Sequence, residues 1–161
     1  NQSNTVKIIV ILREPVSREL SLYNHLAFDC RRLSSTERTS WHNQVVKKDG
    51  TIMTFDEFVL GKSIPALKME VGPGRSTRHG MYETHLRKWF KLFDRNQILA
   101  LSYDELQYHP EKLQERIQTF LGCELPGGLC RSNSNENEQK ILFPSVEAKE
   151  ALLAVFAPLN Q

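Results

Sequence analysis

Apolar positions along the chain fall into short continuous runs and helical repeats that are separated by polar stretches. Residues 6–12 (VKIIVIL) form a run rich in β-branched side chains, typical of a strand buried on both faces of a parallel sheet. The run ends before Pro15, a residue suited to the first turn of a helix. Four apolar residues then recur at helical spacing: Val16, Leu20, Tyr23 and Ala27. This pattern predicts a helix over 15–28, and a strand that leads directly into a helix favours an α/β architecture.

The part of the chain after this helix is less regular. Residues 31–50 are polar and lack a clear period, which predicts an irregular surface segment. Residues 54–60 (TFDEFVL) predict a short helix, with Thr54 as its N-cap and Glu57 as the reciprocal partner in a capping box. Residues 71–80 contain three glycines and a proline and predict a loop.

A second strand is predicted between two further amphipathic helices. The first of these helices has its apolar side at Leu86, Trp89, Phe90 and Phe93. We expect that side to belong to the core. Residues 97–101 (QILAL) predict a strand, and 102–106 a turn or short helix. The next helix begins at Pro110 and ends at Gly122.

The C-terminal part combines a polar loop with one more helix. Residues 127–140 are rich in Gly, Ser, Asn and Glu, a composition that predicts a flexible loop. Residues 146–156 predict a helix with Leu152, Leu153 and Phe156 facing inward. Because neither an internal repeat nor a domain boundary is visible, we expect residues 1–161 to form a single domain that holds only part of a sheet.

The composition is that of an ordinary globular protein, with 40% hydrophobic and 25% charged residues. A formal net charge of +2 is too small for a nucleic-acid-binding surface, so no nucleic-acid partner is expected. No apolar run approaches the roughly 20 residues that a membrane-spanning helix needs. Because the chain opens close to a core strand and without a Met, we expect it to be N-terminally incomplete, with any membrane anchor upstream.

The three cysteines give neither a disulfide framework nor zinc-ligand spacing. Cys123 and Cys130 flank a Pro-Gly-Gly turn, and two interpretations stay open for them: a bridge in an oxidising lumen, or two free thiols. We expect no metal site.

The segment 7–25 (KIIVILREPVSRELSLYNH) carries the candidate chemistry. Arg13 lies where the first strand ends, and ligands of open α/β sheets bind at the carboxyl ends of strands. The helix that follows presents free N–H groups and a dipole that favour anions, and the planar arginine fork matches a phosphate. Ser17 and Ser21 are four residues apart, so both hydroxyls lie on one helix face. The residues therefore predict an anion site with Arg13 as its charged clamp, and the alternative is a surface or salt-bridged arginine.

The sequence ILREPVSRELSLYNH resembles the 3′-phosphate-binding motif of sulfotransferases that use PAPS (3′-phosphoadenosine 5′-phosphosulfate). In that motif a strand is followed by Arg-x-Pro and, later in the helix, by a serine. The resemblance implies that Arg13 and Ser21 hold the 3′-phosphate of the nucleotide. It also implies an α/β fold of partial P-loop type, with three layers and a parallel sheet flanked by helices.

A second block is similar to heparan sulfate sulfotransferases and their relatives. Its residues are Gly80-Met81-Tyr82, His85-Leu86, Trp89, Phe93, 97–101, Asp104-Glu105-Leu106, Pro110 and Phe120-Leu121-Gly122. The two blocks together span roughly residues 7–122. Their order and spacing make the resemblance far more specific than a lone Arg-x-Pro.

The chain departs from the family pattern in two ways. The Gly-rich loop that cradles the 5′-phosphosulfate is absent, and we expect it, together with the catalytic base, upstream of Asn1. The Lys-Gly-Arg loop that often closes on the 3′-phosphate is replaced by EQKILFP at 138–144, where Lys140 is the candidate electrostatic substitute.

The resemblance implies a sulfotransferase that moves a sulfuryl group from PAPS to a hydroxyl or amine, with a carbohydrate as the expected acceptor. The implied ligands are PAPS and its product PAP, and the implied location is the Golgi lumen, with a cytoplasmic location as the alternative. We expect the chain alone to be inactive because half of the donor site is missing. Two other functions stay open: a non-catalytic or degenerate nucleotide-binding module, and a P-loop kinase-like protein.

Overall fold

A computed structural model of the protein describes residues 6–66, 78–127 and 143–157. Its strands and α-helices are β1 (Ile8–Leu12), α1 (Pro15–Arg32), α2 (Phe55–Ala66), α3 (Tyr82–Trp89), β2 (Ile98–Ser102), α4 (Tyr103–Tyr108), α5 (Pro110–Leu121) and α6 (Val146–Phe156). Three short 3-10 helices accompany them: His42–Val45, Arg78–Gly80 and Arg95–Gln97. Nearly all of the predicted loops at 71–80 and 127–140 lies outside the described residues.

Contacts between Cα atoms divide the described residues into two compact units. The strand unit contains residues 6–14 and 84–127, and the helical unit contains 15–66, 78–83 and 143–157. The division falls inside α3, after Glu83. The expectation of a single domain stays a prediction.

The sheet of the strand unit pairs β1 with β2 in parallel. The register runs from Ile8 opposite Ile98 to Leu12 opposite Ser102, so both strands end at the same level. The predicted strands at 6–12 and 97–101 are thereby confirmed to within two residues at each end. This register decides which residues meet at the carboxyl edge of the sheet.

The two faces of β1 differ in burial. Ile8, Val10 and Leu12 are half-buried, whereas Ile9 and Ile11 are 37% and 45% exposed. Successive side chains of a strand project to opposite faces, so the alternation assigns one face to the interior and one to the surface. The prediction that β1 is buried on both faces is therefore wrong for the described residues. A run of apolar residues in the sequence does not determine which segments pack on each face of the strand.

The strand unit has its own apolar core beside the sheet. Leu101, Leu113 and Ile117 are its buried members, and half-buried leucines pack around them. The helix α5 begins at Pro110 and ends before Gly122, which adopts a left-handed conformation with φ 74°. Both ends agree with the prediction, because proline suits a first turn and glycine suits a left-handed cap.

The helical unit is built on α1, whose apolar side packs into a cluster with residues of α2 and α6. The predicted capping box of α2 is confirmed: the Thr54 hydroxyl accepts from the Glu57 N–H at 3.1 Å, and the Glu57 carboxylate accepts from the Thr54 N–H at 2.8 Å. Gly80 lies against the ring of Phe156, where an added Cβ would come within 2.6 Å of a ring carbon. Only a glycine fits there without a shift of the ring.

Two predictions of core residues are wrong. Trp89 is 47% exposed, and no residue of α3 is fully buried; its indole instead stacks on Phe93, with ring centroids 5.7 Å apart. Leu153 is 41% exposed, whereas Leu152 and Phe156 are buried. Neighbouring residues of a helix point about 100° apart, so Leu153 does not share the buried side of α6. In both cases the apolar spacing correctly predicted a helix, but it did not determine whether the individual side chain is buried.

Candidate functional site

Arg13 lies directly after β1, at the carboxyl edge of the parallel strand pair. Its guanidinium carbon sits 4.9 Å from the centre of the Tyr103 ring, within the range of a cation–π contact. The Arg13 side chain is half-buried. A partly shielded guanidinium at the carboxyl edge of a parallel sheet is placed where α/β proteins bind anionic ligands, and the role of Arg13 as a phosphate clamp stays a prediction.

Tyr103 is a residue whose role sequence reasoning missed. It follows β2 directly, just as Arg13 follows β1, and the register that pairs Leu12 with Ser102 brings the two next residues side by side. The Tyr103 hydroxyl accepts a hydrogen bond from Gln107 Nε2 at 3.2 Å. The Tyr103 ring that contacts the Arg13 guanidinium is therefore itself held by a hydrogen bond from Gln107, one turn further along α4.

The start of α4 is fixed by a second set of contacts. Ser102 is its N-cap, accepting from the Asp104 N–H at 3.1 Å, while Glu105 accepts from the Ser102 N–H at 3.2 Å.

Arg116 of α5 donates from Nη1 to both Glu105 oxygens at 2.6 Å and from Nη2 to the Ala100 carbonyl at 3.2 Å. Hydrogen bonds with Ser102 and Arg116 lower the pKa of the Glu105 carboxyl. Since Tyr103 is the first residue of α4, these contacts hold the backbone from which its ring projects.

Ser21 lies on α1 in the helical unit, whereas Arg13 belongs to the strand unit. The Ser21 side chain is exposed, and Ser17 is half-buried one turn earlier on the same helix. Lys140 lies outside the described residues. The assignment of Arg13, Ser21 and Lys140 to a common phosphate site stays a prediction.

Next to these positions, α1 carries a buried carboxylate that sequence reasoning did not single out. Glu19 is 1% exposed, and its carboxylate accepts from Arg18 Nη1 at 2.5 Å. Burial raises the pKa of Glu19 to about 7, against the opposing effect of the Arg18 charge and hydrogen bond. The sequence contained a signal for the burial of Glu19, because this residue lies on the apolar side of α1 between Val16 and Tyr23.

We predict that Glu19 makes folding stability fall as the pH rises from about 4.5 to about 7. In that window the native state holds the proton that the unfolded chain has already released, so each rise in pH favours unfolding. The rise in the pKa of Glu19 from 4.5 to about 7 corresponds to a contribution of at most about 3 kcal/mol to folding stability. This contribution is lost above pH 7. Glu19→Gln removes this component, so chemical denaturation should show the variant gaining on the wild type between pH 5 and pH 8.

The comparison is internally controlled, because every other titrating group is common to both proteins and cancels in the difference. Carboxylates whose pKa is lowered, such as Glu57 and Glu105, change their contribution to folding stability at pH values below this window. Parallel stability curves for wild type and Glu19→Gln would show that burial of Glu19 does not govern its titration.

The remaining expectations concern cysteines, metals and membranes. Cys123 is exposed and Cys130 lies outside the described residues, so both interpretations of that pair stay open. Among the described side chains, no group of three or more His, Cys, Asp and Glu is arranged to hold a metal ion. Within the same ranges, no helix combines the length and apolar character required to cross a membrane.

A parallel strand pair with a helix following each carboxyl end places the chain among the α/β proteins, as predicted. Residues 2–150 match the family described as Sulfotransferase domain, and the chain belongs to that family. A sulfotransferase structure from Alicyclobacillus acidocaldarius superposes with a TM-score of 0.58 and 23% identity, covering 94% of this chain and 50% of that one. This likeness confirms the fold class.

Similar proteins of described function include heparan sulfate enzymes. The bifunctional heparan sulfate N-deacetylase/N-sulfotransferase 1 of Homo sapiens is 28% identical over 116 residues, which cover 72% of this chain and 11% of that protein. The heparan sulfate glucosamine 3-O-sulfotransferase 3B1 of Mus musculus is 28% identical over 120 residues, covering 74% of this chain and 25% of that protein. The chain thus spans between about a tenth and a quarter of the length of these relatives.

Proposed function

We propose that this chain binds the 3′-phosphate end of PAPS and that the full-length protein transfers the sulfuryl group of PAPS to a carbohydrate. The single observation that carries the proposal is the Arg13 guanidinium, half-buried at the carboxyl edge of the β1–β2 pair and stacked on Tyr103. Membership in the sulfotransferase family supplies the class of reaction.

In this proposal Arg13 and Ser21 bind and orient the donor and take no part in bond making. Sulfuryl transfer resembles phosphoryl transfer, in which catalysis consists mainly of positioning the reactants and stabilising charge on the transferred group. PAPS supplies the activated sulfuryl group, and the acceptor gives up a proton to a base. A clamp on the remote 3′-phosphate contributes binding energy that holds the reacting end in place. The proposal assigns proton transfer to no residue of this chain.

The acceptor class rests on the relatives. Their names specify sulfation of heparan sulfate at a nitrogen in one case and at a glucosamine 3-hydroxyl in the other. We therefore propose a hydroxyl or amine of a carbohydrate as the acceptor, and a Golgi lumenal location for the full-length protein. Neither the sugar nor the position on it is part of the proposal.

Calorimetry with PAP (adenosine 3′,5′-bisphosphate) and adenosine 5′-phosphate tests the donor site directly, since the two nucleotides differ only in the 3′-phosphate. We expect this chain to bind PAP at least about tenfold more tightly, because one charge-assisted phosphate contact contributes about 1.5–3 kcal/mol. Equal affinities for the two nucleotides would rule out a 3′-phosphate site.

A transfer assay with the full-length protein, labelled PAPS and a heparan-type acceptor tests the reaction. Sulfate on the glycan supports the enzyme, whereas PAP binding without transfer favours the non-catalytic module. Phosphate transfer from ATP with magnesium, in the absence of PAP binding, would favour the kinase-like alternative.

A further inference from the structure

The last turn of α3 and the residues after it present a surface that is both apolar and basic. Trp89 is 47% exposed and Leu92 is 78% exposed, and the side chains of Lys88 and Lys91 are exposed as well. We call these four residues the α3 patch. Large apolar side chains gain free energy when a partner covers them, and contiguous exposed apolar surface marks binding sites more often than chance placement does.

The residues of the α3 patch are neighbours on one side of the helix. The Phe93 N–H donates to the Trp89 carbonyl at 2.9 Å, so the helical path continues past Trp89. Leu92 follows Trp89 by three residues and Lys88 by four, and helical side chains at these spacings are adjacent. Lys91 follows Lys88 by three residues and extends the row. An apolar half and a basic half therefore form one continuous surface within the strand unit.

The exposed indole of Trp89 is held by a second ring. Phe93 stacks on it, with ring centroids 5.7 Å apart and an angle of 22° between the rings. Such a pair restricts the orientation of the indole, so less conformational entropy is lost when a ligand packs on its open surface. A flat, supported indole at the surface is suited to contact with the apolar C–H face of a sugar ring.

The charge of this segment is complementary to an anionic partner. Residues 84–97 contain four Lys and Arg residues and a single acidic residue, Asp94. Neither Lys88 nor Lys91 forms an ion pair with a residue that the structure describes. Short segments rich in Lys and Arg are typical of surfaces that bind heparin-like glycans or nucleic acids.

The α3 patch belongs to the opposite end of the sheet from Arg13. The Arg95 guanidinium lies 4.0 Å from the centre of the Phe90 ring, and Arg95 comes three residues before β2, so the end of α3 is tied to the amino end of that strand. The five residues of β2 separate this end from the carboxyl edge by about 13 Å. A ligand on the patch therefore does not compete with a nucleotide at Arg13.

We infer that the α3 patch is a second binding surface for the carbohydrate acceptor and that it takes a glycan chain carrying carboxylate or sulfate groups. The inference deepens the proposed function, because it takes the acceptor of that function as the ligand. The indole packs on a sugar ring, and the two ammonium groups pair with its acidic substituents. A polymeric acceptor can occupy this surface with one part while another part reacts, which raises the effective concentration of the reacting part.

Calorimetry of this chain with a heparan sulfate oligosaccharide, without nucleotide, tests the inference. Lys88→Gln/Lys91→Gln should weaken glycan binding by about threefold to tenfold, and Trp89→Leu by a similar factor. The matched control is Lys112→Gln/Lys149→Gln, which removes the same charge from exposed lysines of α5 and α6. It should change glycan affinity by less than about twofold. Substitutions at exposed lysines leave folding largely unchanged, so the lysine variant tests the surface even if Trp89→Leu is unstable.

Weaker glycan binding in both patch variants, with the control unchanged, supports the inference. Equal losses in patch and control variants would show attraction by net charge alone, and unchanged binding in the patch variants, or a wild type that does not bind the glycan, would exclude the surface. Tighter binding of a single-stranded oligonucleotide than of the glycan, or a dimer that Trp89→Leu dissolves in sedimentation experiments, would assign the patch to another partner. Each of these results overturns the inference.

Failure here is separable from failure of the proposed function. PAP affinity should be the same in the wild type and in all three variants, because the α3 patch lies away from Arg13. A wild type that prefers PAP to adenosine 5′-phosphate, together with patch variants that keep their glycan affinity, overturns only the second glycan surface. A wild type with no preference for PAP overturns the proposed donor site whatever the glycan measurements show.

Discussion

Replacing Arg13 with alanine should weaken PAP binding by about tenfold to a hundredfold, because a charge-assisted phosphate contact contributes about 1.5–3 kcal/mol. The loss should be specific to the 3′-phosphate, so affinity for adenosine 5′-phosphate should stay nearly constant. Arg13→Lys should give an intermediate affinity, since an ammonium keeps the charge but lacks the planar fork. Calorimetric titration of each variant measures these affinities directly.

Arg95→Ala is the matched control for Arg13→Ala. Arg95 belongs to the same unit and also covers an aromatic ring, that of Phe90, at 4.0 Å. It lies before β2, away from the carboxyl edge of the sheet. Its removal should therefore leave PAP affinity unchanged. Unchanged PAP affinity in Arg13→Ala, or the same loss in both variants, would remove Arg13 from the phosphate site.

Leu113→Ala should lower the free energy of unfolding of the strand unit by about 2–5 kcal/mol. Leu113 is 0% exposed and packs with Leu101 and Ile117, so the truncation removes buried methyl groups and leaves a cavity. Since globular domains are stable by only about 5–15 kcal/mol, a loss of this size is a large share of the total. It would also loosen the α5 support of the sheet that carries Arg13.

The chain offers a clean measurement of this effect. It contains two tryptophans, of which Trp89 lies in the strand unit and Trp41 in the helical unit. In a Trp41→Phe background, fluorescence during urea denaturation reports the strand unit through Trp89. Leu92→Ala is the control, because the same truncation at a leucine that is 78% exposed should change stability by less than about 0.5 kcal/mol. Equal losses of stability in Leu113→Ala and Leu92→Ala would contradict the placement of Leu113 in the core of the strand unit.

Local signals predicted the elements of this protein well. The helix starts at Pro15 and Pro110, the capping box at Thr54 and the left-handed cap at Gly122 were all visible as residue types at fixed spacing. Such features depend on contacts within one or two turns, so the sequence contains all the information they need. For the same reason, Arg13 was recognised as a strand-end cation before any contact was known.

Burial and long-range contacts were not predictable in this way. The exposure of Trp89 and Ile11 and the burial of Glu19 depend on which segments cover each side chain. Helical and strand periodicity identify an apolar side but do not name its partner.

The sequence by itself determined the order of strands and helices, their capping residues and the placement of Arg13 where a strand gives way to a helix. Only the tertiary structure decided that Tyr103 lies under the Arg13 guanidinium. The physical reason is that parallel strands need a long connection, so their register joins residues far apart in the chain, and no local pattern encodes which residues will meet.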